Sequence, residues 1–310
     1  MSIQFDGRGG GMERRSRLER LLSIPALSSP VVSPDGRWVA WSWSRLGPAA
    51  DPFVAPTDRS RAPIRLAQTG ENTYVRSWSR DGRSVVVAHD HGGDERVSLF
   101  RIDLDDPGRL HPLTPSSPPY FLQGGELHPN GRWLFYGANY DFEREEEIEP
   151  TWVYRHDLME GERRVLARPS RGAPTCPSLN RSGTHVLYPR SDLDPWGVQY
   201  WLVDVEGNDD REILNFGAAN PISAAWLPDG ERVLFLADTK THRKLGVWHL
   251  ADGSIEWWID DPARNLEAAF APENGGGIVV VEIRETRVHA SLLDPDGGEE
   301  RALPELPGNL

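Results

Sequence analysis

One short pattern returns six times along this chain and constrains its fold more than any other feature. The strings SPDGRWVAW (Ser33 to Trp41), SRDGRSVVV (Ser79 to Val87), HPNGRWLFY (His128 to Tyr136), NRSGTHVLY (Asn180 to Tyr188) and LPDGERVLF (Leu227 to Phe235) are five copies, and APENGGGIVVV (Ala271 to Val281) is a looser sixth. Between Gly36, Gly82, Gly131, Gly183, Gly230 and Gly275 the spacings are 46, 49, 52, 47 and 45 residues. A period in that range marks a repeat architecture.

Each copy reads as a tight turn feeding a strand. Pro presets φ for the turn, Asp or Asn tolerates its third position, and Gly accepts the left-handed conformation that closes it. An aromatic or β-branched run follows, as in Trp38 to Trp41 and Val233 to Leu236. Small and apolar residues precede each turn, for example Ile222 to Trp226 and Leu266 to Phe270. Downstream, a third run tends to end in hydrophobic-Asp (LFRIDL, VYRHDL, YWLVDV), and a fourth closes the unit (HPLT, RRVLA, REIL, IEWWI, RALPEL). The expected fold is therefore all-β: a β-propeller of four-stranded antiparallel blades, six of them in this chain. Two stacked sandwiches would not repeat one motif six times. Recurring tryptophans at equivalent strand positions point to blade-to-blade packing rather than a ligand cage.

The rest of the sequence narrows the partners. A net charge of −13 argues against nucleic acid or an anionic membrane, both of which need a positive field. No apolar run approaches the roughly 20 residues of a membrane span. Cys176 is the only cysteine, so no intramolecular disulfide forms and a cytoplasmic location is the simplest expectation. Residues 1–23 read as a flexible leader followed by an amphipathic helix, Met12 to Ser23, and residues 24–310 as the propeller. Leu18, Leu21 and Leu22 share one face of that helix, either packing on blade one or docking to a surface outside the chain.

The turns, the hydrophobic-Asp strands and the opening LERLLSIPALSSPVVSPDGRWVAW resemble the amino-terminal propeller of prolyl-oligopeptidase-family serine peptidases, the acylaminoacyl-peptidase-like branch in particular. The resemblance runs from about Leu18 onward and includes YFLQGGELHPNGRWLFYGANYD (Tyr120 to Asp141); TolB-type propellers share the SPDG turn. It implies a non-catalytic propeller that gates short peptides into an α/β-hydrolase catalytic domain, in cis or in trans. In that family a serine in a G-x-S-x-G elbow does the chemistry, with Asp and His following. No G-x-S-x-G occurs here, the nearest fragment being Gly82-Arg83-Ser84, so no catalytic residue is assigned and no cofactor is expected. Many relatives carry a seventh blade, so the chain reads as a fragment, one product of a split gene, or a six-bladed propeller without the enzyme. The alternative function is a stand-alone TolB-like scaffold, and oligomerisation stays open.

Candidate contacts are few. Glu145, Glu146 and Glu147, in DFEREEEIEP, could capture a substrate amine or a basic peptide, although a solvated loop has the same composition. Trp196 lies off the tryptophan pattern and is the one aromatic candidate for a loop contact. His89-Asp90-His91 superficially resembles a metal cluster, but the following glycines make it a polar hairpin tip, and no metal is expected. Asp103, Asp157 and Asp204 recur too regularly to be catalytic and are expected to accept backbone hydrogen bonds at the end of strand three.

Overall fold

A computed structural model describes residues 24–304 apart from 46, 48, 119, 172–175, 195 and 274. Among the described residues there is no helix; six four-stranded antiparallel sheets follow one another in chain order. Blade 1 holds β1 (Ala26–Val32), β2 (Trp38–Ser44), β3 (Asp51–Pro56) and β4 (Ile64–Arg65), and blade 2 holds β5 (Thr73–Trp78), β6 (Ser84–His89), β7 (Ser98–Asp103) and β8 (His111–Pro112). Blade 3 holds β9 (Leu122–Leu127), β10 (Trp133–Asp141), β11 (Glu146–Asp157) and β12 (Arg163–Ala167), and blade 4 holds β13 (Ser178–Leu179), β14 (His185–Arg190), β15 (Gln199–Asp204) and β16 (Arg211–Leu214). Blade 5 holds β17 (Ile222–Trp226), β18 (Arg232–Asp238), β19 (Arg243–His249) and β20 (Ile255–Ile259), and blade 6 holds β21 (Leu266–Phe270), β22 (Ile278–Arg284), β23 (Arg287–Leu293) and β24 (Glu300–Ala302). This is the expected six-bladed propeller. The amphipathic segment with Leu18, Leu21 and Leu22 lies outside the described residues.

The six turns are built alike. Each conserves an N–H from the key glycine to the carbonyl three residues earlier, from Gly36 to Ser33 through Gly275 to Pro272, at 2.8–3.0 Å. All six glycines have left-handed φ between 67° and 75°. In the first copy Asp35 accepts from the Ser33 hydroxyl (2.6 Å) and the Arg37 N–H (3.0 Å), and Trp38 N–H reaches Ser33 Oγ (2.9 Å), so the side chains lock the turn that the backbone begins.

Strand periodicity then distributes the core. Successive residues of a second strand point to opposite faces, so Val85 and Val87 pack toward blade 1 while Val86 packs toward blade 3. Likewise Leu134 and Tyr136 face blade 2 and Phe135 faces blade 4; Val233 and Phe235 face blade 4 and Leu234 and Leu236 face blade 6. Tryptophans add hydrogen bonds in register with the repeat: Trp78 Nε1 donates to Val31 O (3.0 Å) and Trp226 Nε1 to Ser178 O (3.2 Å), each on the preceding blade.

The ring has one seam that differs from the others. Five buried apolar clusters fill the five interfaces between consecutive blades, and among the described residues none joins blade 6 to blade 1. Among the described residues no strand is exchanged there either, since β1 pairs with β2 and β24 with β23. In β22 only alternate residues are buried: Ile278, Val280 and Glu282 are covered, whereas Val279, Val281 and Ile283 are half-exposed.

Candidate functional site

The first strands run in one direction and the turns that follow them gather at one end of the propeller, the anchor face. The connections between second and third strands, those between blades, and both ends of the ring lie at the opposite end, the terminal face. The central channel between them is the one feature to which every blade contributes.

Aligning the repeats on their turn glycines shows how the channel is lined. Five residues before each glycine stand Val31, Ser77, Glu126, Ser178, Ala225 and Phe270, and all six border a central cavity of about 630 Å³. Small side chains suit the crowded axis, so the charged exceptions stand out. Glu126 is the single charge at that position. One residue earlier, Arg76 is the single charge, at a bulge in β5 where the register shifts between Val75 and Ser77. Two residues before the glycine, where Pro34, Pro129 and Pro228 are usual, stand Arg80, Arg181 and Glu273.

These exceptions form a polar constriction near the anchor face. Arg80 spans from blade 2 to Glu273 of blade 6 (3.1 Å) and reaches Asn180 O of blade 4 (3.5 Å). Arg181 Nη1 donates to the carbonyls of Pro228 (3.2 Å) and Glu273 (3.3 Å). Glu126 Oε2 accepts the Leu179 N–H (2.9 Å), tying blade 3 to blade 4. Burial pushes the Glu126 carboxyl up to about 7, a rise that Glu273 reinforces and that the Leu179 N–H and Arg80 oppose. Its side chain sits deep in the channel yet keeps some surface on the lumen. Arg76 has no ion pair among the described residues, and its buried Nε has no hydrogen-bond partner. Phe270, 58% exposed, and Val32, 41% exposed, leave apolar surface in the same cavity.

The contact candidates singled out from sequence lie on the terminal face instead, while the third-strand aspartates lie toward the anchor face, Asp103 pairing with Ser84 and Asp157 with Trp133 just after the turns. Glu145 sits exposed at the tip of the β10–β11 hairpin with left-handed backbone (φ 56°). Glu146 is 3.7 Å from Arg144, and Glu147 pairs with Arg96 of blade 2 (3.2 Å) and accepts from Asn139 (3.0 Å). Two of the three carboxylates are thus already partnered. Trp196 is 83% exposed, its N–H held by Asp194 Oδ1 (2.8 Å) in the blade 4 loop. His89 Nδ1 bonds Thr73 Oγ1 (3.0 Å) and the buried Asp90 accepts from Asn72, so neither converges on a common centre. Asp157 and Asp204 accept backbone N–H groups as expected. Asp103 departs from that expectation: its carboxylate pairs with Arg101 (2.9 Å) and lies 3.6 Å from the His111 imidazole, because both side chains are brought beside it on β7 and β8.

A hydroxyl–imidazole–carboxylate chain does occur on the terminal face, with Thr241 Oγ1 at 2.9 Å from His242 Nδ1 and His242 Nε2 at 2.7 Å from Asp260. Thr241 is exposed, and Lys244 occupies the other oxygen of Asp260 (2.7 Å), which makes this a solvated ion-pair network rather than an activated nucleophile.

The geometry presents a channel to which all six blades contribute, and the comparisons with known proteins bear on the fold that builds it. In sequence the chain is homologous to a dipeptidyl aminopeptidase. It is 23% identical over 292 residues to dipeptidyl aminopeptidase BIII of Pseudoxanthomonas mexicana, covering 92% of this chain but 37% of that protein. No family model matches. Among solved structures, a prolyl endopeptidase analysed for the role of inter-domain dynamics in catalysis and specificity superposes with a TM-score of 0.71 at 16% identity, over 97% of this chain and 46% of that one. TolB of Acinetobacter baumannii gives 0.59 at 14% identity, over 98% and 71%, and an oligogalacturonate lyase of Vibrio parahaemolyticus 0.66 at 13%, over 90% and 79%. The chain therefore spans less than half the length of each of these two peptidases. The resemblance to peptidase and TolB propellers expected from the anchors is borne out.

Proposed function

We propose that this propeller serves a prolyl-oligopeptidase-type serine peptidase, admitting short peptides to an α/β-hydrolase catalytic domain and excluding folded proteins. The observation that carries this reading is the 292-residue similarity to a dipeptidyl aminopeptidase of which the chain spans 37%. The terminal face, where both ends of the ring emerge, is the surface offered to that domain, with Trp196 exposed upon it. The channel narrows at Arg80 and Glu273, which suits an extended peptide and not a globular one. The cytoplasm, with its supply of peptide fragments, is the proposed location.

The test compares two samples on aminoacyl and dipeptidyl chromogenic substrates. The 310-residue chain alone is expected to leave them intact, whereas protein purified from its source hydrolyses them. Turnover by the 310-residue chain that a serine-directed phosphonate abolishes would overturn this reading. A source protein that is inactive and carries no further domain or partner would favour the TolB-like scaffold instead.

A further inference from the structure

The peptidase reading makes no use of Arg76, which has an environment unlike that of the other lumen cations. Arg80 is paired with Glu273, and Arg181 is held by two carbonyls. The lumen carboxylate of Glu126 is bonded to Leu179 and influenced by Arg80 and Glu273, with Arg76 not among those influences. Arg76 is left with Tyr74 and Cys176, weak acids that are neutral at neutral pH, as its charge-bearing neighbours. Burial pulls its guanidinium below the usual arginine range, yet an arginine stays cationic under physiological conditions. An unpaired, half-buried cation is costly to hold and persists where something binds to it.

The surrounding chemistry says what that something is. The cavity that Arg76 borders is walled by apolar residues from several blades, including Val31, Leu179, Trp226 and Phe270. A planar guanidinium with free donors matches a carboxylate, and a wetted apolar wall matches a hydrophobic body attached to it. From this geometry we infer that the lumen is a binding site for carboxylate ligands with an apolar side group, Arg76 holding the carboxylate and Phe270 and Val32 covering the apolar part. The class includes the C-terminus of a hydrophobic peptide and a free acylated amino acid. The site depends only on the lumen, so its failure leaves the hydrolase partnership untouched, and the reverse also holds.

The test is calorimetric titration of the 310-residue chain at low ionic strength with N-acetyl-phenylalanine, its amide, the tripeptide Ala-Ala-Phe and the tripeptide amide. The acids are expected to bind and the amides to bind at least tenfold more weakly. A tripeptide acid that binds more tightly than N-acetyl-phenylalanine assigns the site to peptide C-termini, and equal affinity assigns it to small acids. Arg76→Met is expected to lose the preference for acid over amide while its circular dichroism stays unchanged, and Arg76→Lys to keep part of it. Acid and amide binding alike, no binding of either acid at millimolar concentration, or full acid preference in Arg76→Met would each overturn the inference. If Arg76→Met does not fold, the acid–amide comparison on the unaltered chain and on Arg76→Lys decides.

Discussion

Replacing Glu126 by Gln isolates the electrostatics of the channel. In the folded chain the carboxyl holds its proton up to about 7, against an ordinary value of 4.5. Between those two values the native state binds more protons than the unfolded one, so stability is lost as pH rises through the window. Below 4.5 both states are protonated and the site costs nothing; above about 7 both are ionised and the full cost is present. At about 1.4 kcal/mol per pKa unit this cost is roughly 3 kcal/mol, a ceiling because lumen water still reaches part of the side chain. Gln keeps an oxygen to accept the Leu179 N–H but cannot ionise. Thermal unfolding of the two proteins from pH 4 to 8 should therefore coincide at the acid end and diverge above pH 5. Above pH 7 the variant should melt higher, by roughly 5 °C at the ~2 °C per kcal/mol of a domain this large. Using the difference between the two proteins cancels every other titrating group. A difference that stays flat with pH, or that favours the glutamate at pH 8, would refute the placement of this carboxyl in a desolvated lumen.

Other expectations concern the ring itself. Gly230→Ala should destabilise more than Gly131→Ala: both force a left-handed alanine at about 1–2 kcal/mol, but only at Gly230 does the new Cβ fall 2.9 Å from the backbone nitrogen of Arg181, and chemical denaturation of the two variants measures the gap. Trp226→Phe removes the bond to Ser178 O and should cost about 1 kcal/mol or slightly more, seen in the denaturation midpoint. Native-state hydrogen exchange should find the amides of β22 and β23 exchanging faster than those of β6, β10, β14 and β18, which have buried apolar clusters on both faces; uniform protection of all six sheets would contradict the open seam.

The repeat was legible because turn chemistry is local. Ser33, Pro34, Asp35 and Gly36 dictate their own geometry, and the fourth strands RRVLA, REIL and IEWWI coincide with β12, β16 and β20. Blade boundaries were clear for the same reason. The functional residues were harder, since composition draws attention to dense charge, and Glu145 to Glu147 are dense but largely satisfied by Arg144, Arg96 and Asn139. The lumen charges are scattered singly along the chain, and only the ring brings Arg80 to Glu273, 193 residues away. Their signal lay in the aligned repeats, as a charge at a position that is small, apolar or proline in the other blades. The unpaired state of Arg76 was beyond the sequence altogether, because it depends on where Glu126 and Glu273 spend their hydrogen bonds.

Whether this ring works beside a hydrolase is tested most directly by active-site labelling of the native protein. An extract of the source cells is treated with a fluorophosphonate probe, the propeller is captured with an antibody to residues 24–304, and the labelled peptides are sequenced. The expected result is one labelled serine in a hydrolase segment, in the same chain as the propeller or in stoichiometric association with it, and no label on any serine of the propeller. Recovery of the propeller free of any labelled hydrolase, or a label within its own blades, would contradict the proposed role.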